Sequence, residues 1–539
     1  VQNRRPNQRM NAKLLSRSLN NSLKSILSSS SLRRESVRAT AQRFISTATA
    51  SQLKVFPEFA TASEFENAGS FHKAIPLYQR MHDVLCGAMG KSSTVSAELV
   101  CHTARLFMLS GDFGKAIKLV QSEITSDAPK AITVHYLNLL AEAYLLSGDT
   151  EKAFEAAQQA VDACEAHSES ESDEELALFS PAYGMLGVCS LYNGDLDTAE
   201  TYLLLAARWA QSHHHQHQIA ALSNLGAFSL YQIGSMGHSC PDEMSAAKRG
   251  FPHLRRHLSS VAESVDNKSL LNHSLVKDAL AYWTEALNVI NLPGPAKAAT
   301  GAGMCGVVDS VVPDMTGLGS QARIVPNPNN PNTSTAEEIP QSSDPLTAEK
   351  LLLQESCMSA YVGVLCNFAE LYECTGNLAD KDEYLSSALA TLQAYERNLE
   401  HNNNNDNGAG SGDSTSGSSS TVAHRAVLGR VLGLAAHREL SMGQAVTAEG
   451  LYRSALDHLN SPIALHDPRL KYERGIALCG YGLLLSKWDK RAASGQEMIA
   501  QGQTLLTTVP KVELSADDSA AGSVVVIPLS GMIQFPSAY

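Results

Sequence analysis

Residues 141–160 read AEAYLLSGDTEKAFEAAQQA, and the spacing inside that stretch decides the fold. Alanine stands at 141, a turn glycine at 148, and alanines follow at 153, 157 and 160. Two helices joined by a tight turn produce that pattern. Small residues seven before and five after the glycine let antiparallel backbones cross closely. The glycine supplies the positive φ that stops the first helix, and Asp149 helps to open the second. Residues 187–206 repeat the frame as Gly187, Gly194, Leu196, Ala199, Leu203 and Ala206. So do Ala104, Gly111, Phe113 and Ala116, then Ala62, Gly69, Phe71, Ala74 and Tyr78, and later Ala436, Gly443, Ala445, Ala448, Tyr452 and Ala455. A further copy, Ala369, Tyr372, Gly376, Leu378, Leu385 and Ala388, has Lys381 where the others have alanine. Asp112, Asp195 and Asn377 occupy the place of Asp149, and Phe65, Phe107, Tyr144 and Tyr372 fill the groove between paired helices. One such hairpin leaves an apolar face bare, so the units must stack.

The repeated frame resembles the tetratricopeptide repeat. The glycines at 69, 111, 148 and 194 lie 42, 37 and 46 residues apart. These steps exceed the minimal unit of roughly 34 residues, so helices or connections are extended. Ser223-Asn224-Leu225-Gly226 and residues 448–456, AEGLYRSAL, look like the kinesin-light-chain branch of the family. The resemblance covers roughly residues 55–292 and 350–505. It implies an all-α, right-handed α-solenoid of helix hairpins with disordered inserts, acting as a non-catalytic, protein-binding scaffold. It places partner contacts on the first helix of each unit. Asn224 and Asn367 stand two before the small residue of their units, where an amide can grip a peptide backbone at both its ends. The alternative role for these asparagines is to hold neighbouring units together. Arg105, Glu142, Tyr192, Tyr231 and Glu370 fall on the same expected face. Family members that grip acidic C-termini use a basic clamp, but the matching positions here are Phe59, Ser63, His102, His135 and Leu139, which do not support that function.

Composition divides the chain further. Residues 55–292 hold about five units, the fifth split by an insertion at 235–274. That insertion contains KRGFPHLRRH (248–257), a basic cluster that could meet an acidic lipid head group or an acidic neighbour, or be a solvated face. Residues 293–348 form a Gly/Pro/Asn-rich linker. A second array spans 350–508, is interrupted by a low-complexity loop at 401–420, and ends in a degraded unit around Lys487–Ala492. The tail, 509–539, carries the run Val524-Val525-Val526-Ile527, which has the composition of a strand with no evident partner.

The net charge of −13 conceals an asymmetry. Ten of the 42 basic residues and one of the 55 acidic residues lie in residues 1–50, so the rest of the chain carries −22. An acidic body repels nucleic acid. Within the first 50 residues Leu14, Leu15, Leu19, Leu23, Ile26 and Leu27 recur at helical spacing between Lys13, Arg17 and Lys24. A basic amphipathic helix of this kind is what mitochondrial import reads, and Arg43-Phe44-Ile45-Ser46 resembles a matrix-processing site. The expected address is the matrix or the matrix face of the inner membrane. No run is apolar enough for a spanning helix, although peripheral membrane contact remains open. Ten scattered cysteines without zinc or disulfide spacing suit a reducing compartment.

No residues stand out as catalytic, cofactor-binding or metal-binding. Phosphate-loop, nucleophile-elbow and zinc-protease motifs are absent. His213 and His217 could share a metal on one helix, but no further ligand has a recognisable spacing. The expectation is therefore a scaffold whose partners are other proteins, as a structural subunit or assembly factor of a mitochondrial complex, respiratory-chain or ribosomal. A cytosolic adaptor like kinesin light chain and an RNA-associated organellar repeat protein are the alternatives.

Overall fold

A computed structural model describes Thr49 and residues 52–67, 69–90, 93–125, 128–166, 176–213, 215–235, 271, 274–289, 355–374, 376–406, 422–460, 468–507, 511–514 and 525–528. The basic N-terminal segment, nearly all of insertion 235–274, the linker and the loop beyond 406 lie outside the described residues.

The described chain builds eight antiparallel helix pairs. They are α1 (Pro57–Asn67) with α2 (Phe71–Met89), α3 (Thr94–Leu109) with α4 (Phe113–Glu123), α5 (Lys130–Ser147) with α6 (Thr150–Glu165), and α7 (Phe179–Tyr192) with α8 (Leu196–His213). After them come α9 (His215–Ser235) with α10 (Ser274–Val289), α11 (Glu355–Cys374) with α12 (Leu378–Asp406), α13 (Val422–Ser441) with α14 (Ala445–Leu459), and α15 (Pro468–Ser486) with α16 (Ala492–Thr507). From α3 to α15, each odd-numbered helix touches the next and together they form an inner layer; the even-numbered helices form the outer one. The fold is an all-α solenoid. One continuous apolar core runs through it from Leu53 to Leu485.

The turns explain why the frame repeats. In the pairs α1–α2, α3–α4, α5–α6, α7–α8, α11–α12 and α13–α14 the glycine has positive φ, from 70° to 87°. Each turn closes with the same two bonds. Gly148 N–H reaches the Leu145 carbonyl at 3.0 Å and Asp149 N–H reaches Tyr144 at 3.0 Å. Gly111 with Asp112, and Gly194 with Asp195, do likewise. This double bond is the Schellman arrangement, which satisfies carbonyls at the helix end. The expected openers divide. Asp149 and Asp195 accept from the backbone of Lys152 and Thr198 at 3.2 and 3.1 Å. Asp112 instead holds Lys115 at 2.9 Å, and Asn377 donates to Asp380.

Crossings depend on small residues. Ala62, Ala74, Ala104, Ala141, Ala153, Ala199, Ala369, Ala436 and Ala448 are all fully buried. A Cβ on Gly187 would sit 2.8 Å from the Leu203 side chain. At Gly226 the space is filled by Trp283 of α10, whose indole N–H donates to the Ser223 carbonyl at 3.2 Å. The other side of that ring meets Phe368 of α11, centroids 5.5 Å apart. Trp283 therefore joins the fifth pair to the sixth although residues 290–354 intervene in sequence. The last pair is packed still more closely. Gly482 faces Gly495, and Gly475 faces Gly502, so that a Cβ on Gly495 or Gly502 would lie 2.6 or 2.7 Å from the opposing carbonyl oxygen.

Two features depart from the repeat. α12 runs to Asp406, six residues into the stretch expected as loop. Extending an existing helix is far easier than nucleating one, so even an asparagine run can continue it. Lys381, in place of the crossing alanine, is 1% exposed and its ammonium lies 3.0 Å from Glu373. His437 approaches the same carboxylate at 2.7 Å. Removing one partner of a buried pair is costlier than removing both. Lys381→Ala is expected to lower stability by about 3 kcal/mol, while the double change Lys381→Ala with Glu373→Leu recovers most of the loss, as measured by urea unfolding.

Candidate partner-binding surface and its buried polar core

The inner layer carries the seven candidate contact residues. Arg105 lies on α3, Glu142 on α5, Tyr192 on α7, Asn224 and Tyr231 on α9, and Asn367 and Glu370 on α11. Arg105, Tyr192, Asn224, Asn367 and Glu370 are buried, whereas Glu142 is half-buried; Tyr231 has its backbone, but not its side chain, among the described atoms. Burial raises the Tyr192 hydroxyl well above its ordinary pKa, so it stays protonated.

Asn367 and Glu370 are brought together by a residue the repeat frame does not single out. Arg430 of α13 is buried and donates from Nε and Nη2 to Glu370 Oε1 at 3.0 and 2.8 Å. Its Nη2 also reaches Asn367 Oδ1 at 2.8 Å, and its Nε lies 3.9 Å from Glu473 of α15. One guanidinium thus ties three consecutive inner helices. The fixed fork of arginine suits this role better than a lysine ammonium would. A signal was present: Arg430 interrupts the apolar run VLGRVLGLAA (427–436), where only a paired arginine can be tolerated.

The electrostatics follow from burial. Glu473 is removed from water, which pushes its carboxyl from 4.5 up to about 8 despite the opposing pull of Arg430. Glu370 is raised for the same reason, and Arg430 is held protonated against its own desolvation, chiefly by Glu370. For Glu373 burial acts upward, but His437 and Lys381 together hold it down at about 2. Glu370, Arg430, His437, Tyr452 and Glu473 line a small, partly open cleft with room for water.

The N-terminal inner layer has its own buried polar contacts. Glu66 Oε2 accepts from the Tyr78 hydroxyl at 2.6 Å and meets His102 Nε2 at 3.0 Å, with the Tyr78 and His102 rings edge to face. Burial, then Arg105, lower His135 to about 4. His102 is thus already engaged and His135 is neutral at physiological pH, so these clamp positions present no free cations to an acidic peptide. The Asn138 amide, 2% exposed, has neither its oxygen nor its nitrogen in a hydrogen bond; the repeat frame gave no sign of it.

The histidine run falls at a junction, since α8 ends at His213 and α9 starts at His215. Among the described residues no three His, Cys, Asp or Glu side chains converge as metal ligands. Six described cysteines are free thiols. None of the described helices is long and apolar enough to cross a membrane. A tetratricopeptide-repeat family model matches residues 134–167, which spans α5 and α6. Comparison with curated proteins finds no match.

A carboxyl whose folded pKa stands above its unfolded value binds more protons when folded, so stability falls as pH rises between the two. For Glu473 that window runs from 4.5 to about 8. Unfolding free energy is expected to drop by about 5 kcal/mol across it. Glu473→Gln should flatten this slope and make the chain more stable than the parent at pH 8; denaturant titrations at pH 5.5 and 8.5 measure both.

Proposed function

We propose that this tetratricopeptide-repeat chain is a scaffold subunit or assembly factor of a mitochondrial multiprotein complex, respiratory-chain or ribosomal. The repeats suit it to protein–protein interaction, and the observation carrying the reading is the inner layer running unbroken from α3 to α15, tied crosswise by Trp283 and Arg430. Such a layer offers a long, stiff surface on which several partner segments can be held in fixed relation. The basic amphipathic segment of residues 1–50 supports the mitochondrial address, and the acidic body favours protein over nucleic acid.

Among the seven inner-face candidates, Glu142 has the exposure for direct contact. Asn367 and Glu370 are engaged by Arg430, so they act on a partner through the shape of the layer they hold. Glu142 and the more exposed ends of α5 are therefore the proposed first point of contact.

Native electrophoresis of mitochondrial extract, followed by mass spectrometry, tests the reading. The expected result is a processed chain comigrating with stoichiometric subunits, and a several-fold loss of them on Glu142→Lys with helicity unchanged. A tagged chain that stays in the cytosol, or a band at the mass of the processed monomer, would overturn it.

A further inference from the structure

α7 differs in kind from every other inner helix. Its sequence, FSPAYGMLGVCSLY, contains no Asp, Glu, Lys, Arg, His, Asn or Gln. All fourteen residues are buried. A helix that is apolar on all sides is stable only when it is covered on all sides. Its outer flank is covered by α8: Phe179 stacks on Trp209 at 4.4 Å, Tyr183 on Tyr202 at 5.9 Å, and Gly187 admits Leu203. Tyr183 also donates to Glu165 of α6 at 2.8 Å. α5 and α9 lie on its two sides within the inner layer. The inward side remains, and in a solenoid of this kind it would face solvent.

A segment from the far end of the chain lies there. Two strands, β1 (Lys511–Leu514) and β2 (Val525–Pro528), pair antiparallel with Val512 opposite Ile527 and Leu514 opposite Val525. β1 packs against α7. The valine run that had no partner in the sequence thus pairs within the tail, and the strand it pairs with lies on the most apolar inner helix. Three residues separate α16 from β1, and four peptide steps span at most about 14 Å. The end of the eighth pair is consequently near the inner side of the fourth.

We propose that the inner side of α7 is a docking site for an apolar extended segment, and that the paired strands β1 and β2 of this chain cover it, with β1 in contact. A partner segment reaches α7 only by displacing the hairpin. The short tether gives the hairpin an effective concentration in the millimolar range, so it excludes weak competitors and yields to a strand of greater apolar area. This deepens the scaffold reading by naming a regulated part of its surface, but hairpin docking stands or falls independently of which complex, or which compartment, the protein belongs to.

The test uses the full chain. A fluorescent peptide of residues 509–530 is titrated into the parent protein and into the Val512→Asp, Leu514→Asp double variant, with fluorescence anisotropy as the readout. The expected result is at least tenfold tighter binding to the variant. Equal binding to both, or binding to neither, overturns the proposal. In parallel, benzoylphenylalanine replaces Val512 in the otherwise unaltered chain, and photocross-links are mapped by mass spectrometry. Cross-links to residues 179–192 support the docking; cross-links confined to other segments sink it, whatever the stability of the double variant.

Discussion

Everything in this solenoid depends on how closely two helix backbones can approach at each crossing. Where alanine or glycine occupies the contact, the axes come close, the glycine turn can close with its two bonds, and the large side chains are directed to the seams between pairs. The same requirement accounts for the regular places, such as Ala141 with Ala153, and for the tightest one, where Gly475, Gly482, Gly495 and Gly502 leave carbonyl oxygens almost in contact with the opposing Cα positions. Dispersion gained along such a contact is small per atom and large in sum, and it is lost steeply with separation. A solenoid has no central core to compensate, because each pair touches only its neighbours.

This constraint explains what could be read from the chain before its structure. Turn glycines and crossing alanines are local, spaced along one hairpin, and therefore visible as a period; Gly69, Gly111, Gly148, Gly194, Gly376 and Gly443 are the turn residues with positive φ that the period implies. Contacts between pairs have no fixed spacing. Trp283 meets Phe368 across an 85-residue separation, and Arg430 joins helices whose partners lie 60 and 63 residues upstream. The pattern could place Asn367 and Glu370 on one face, but not foresee that an arginine from the next unit would bind them. The last pair looked degraded because its small residues are glycines in an unfamiliar register around a 3-10 turn at Asp489–Arg491. Asp112 and Asn377 show the converse: the residue type at an opener is legible, whereas its hydrogen-bond partner depends on a neighbouring lysine or aspartate.

The two halves of the inner layer also achieve rigidity differently. Between α1 and α10 the seams are mostly apolar and aromatic, with isolated polar contacts such as Glu66 with Tyr78 and His102. From α11 onward the seams carry ions: Lys381 with Glu373, Arg430 with Glu370, and Arg438 with Asp382. Apolar seams can slide at little cost. Buried ion pairs cannot, since a small shift strands a charge out of water. The C-terminal half is accordingly the more precisely registered of the two.

The tail hairpin has a mechanical consequence as well. Its first strand begins three residues beyond the final helix and packs on α7, in the middle of the stack. A stacked array bends by small rotations shared among its interfaces, and a contact between its end and its middle limits how far those rotations can go. Releasing it would let the arc between the fourth and eighth pairs open, so that an event at one helix would be felt as a change of curvature over half the molecule.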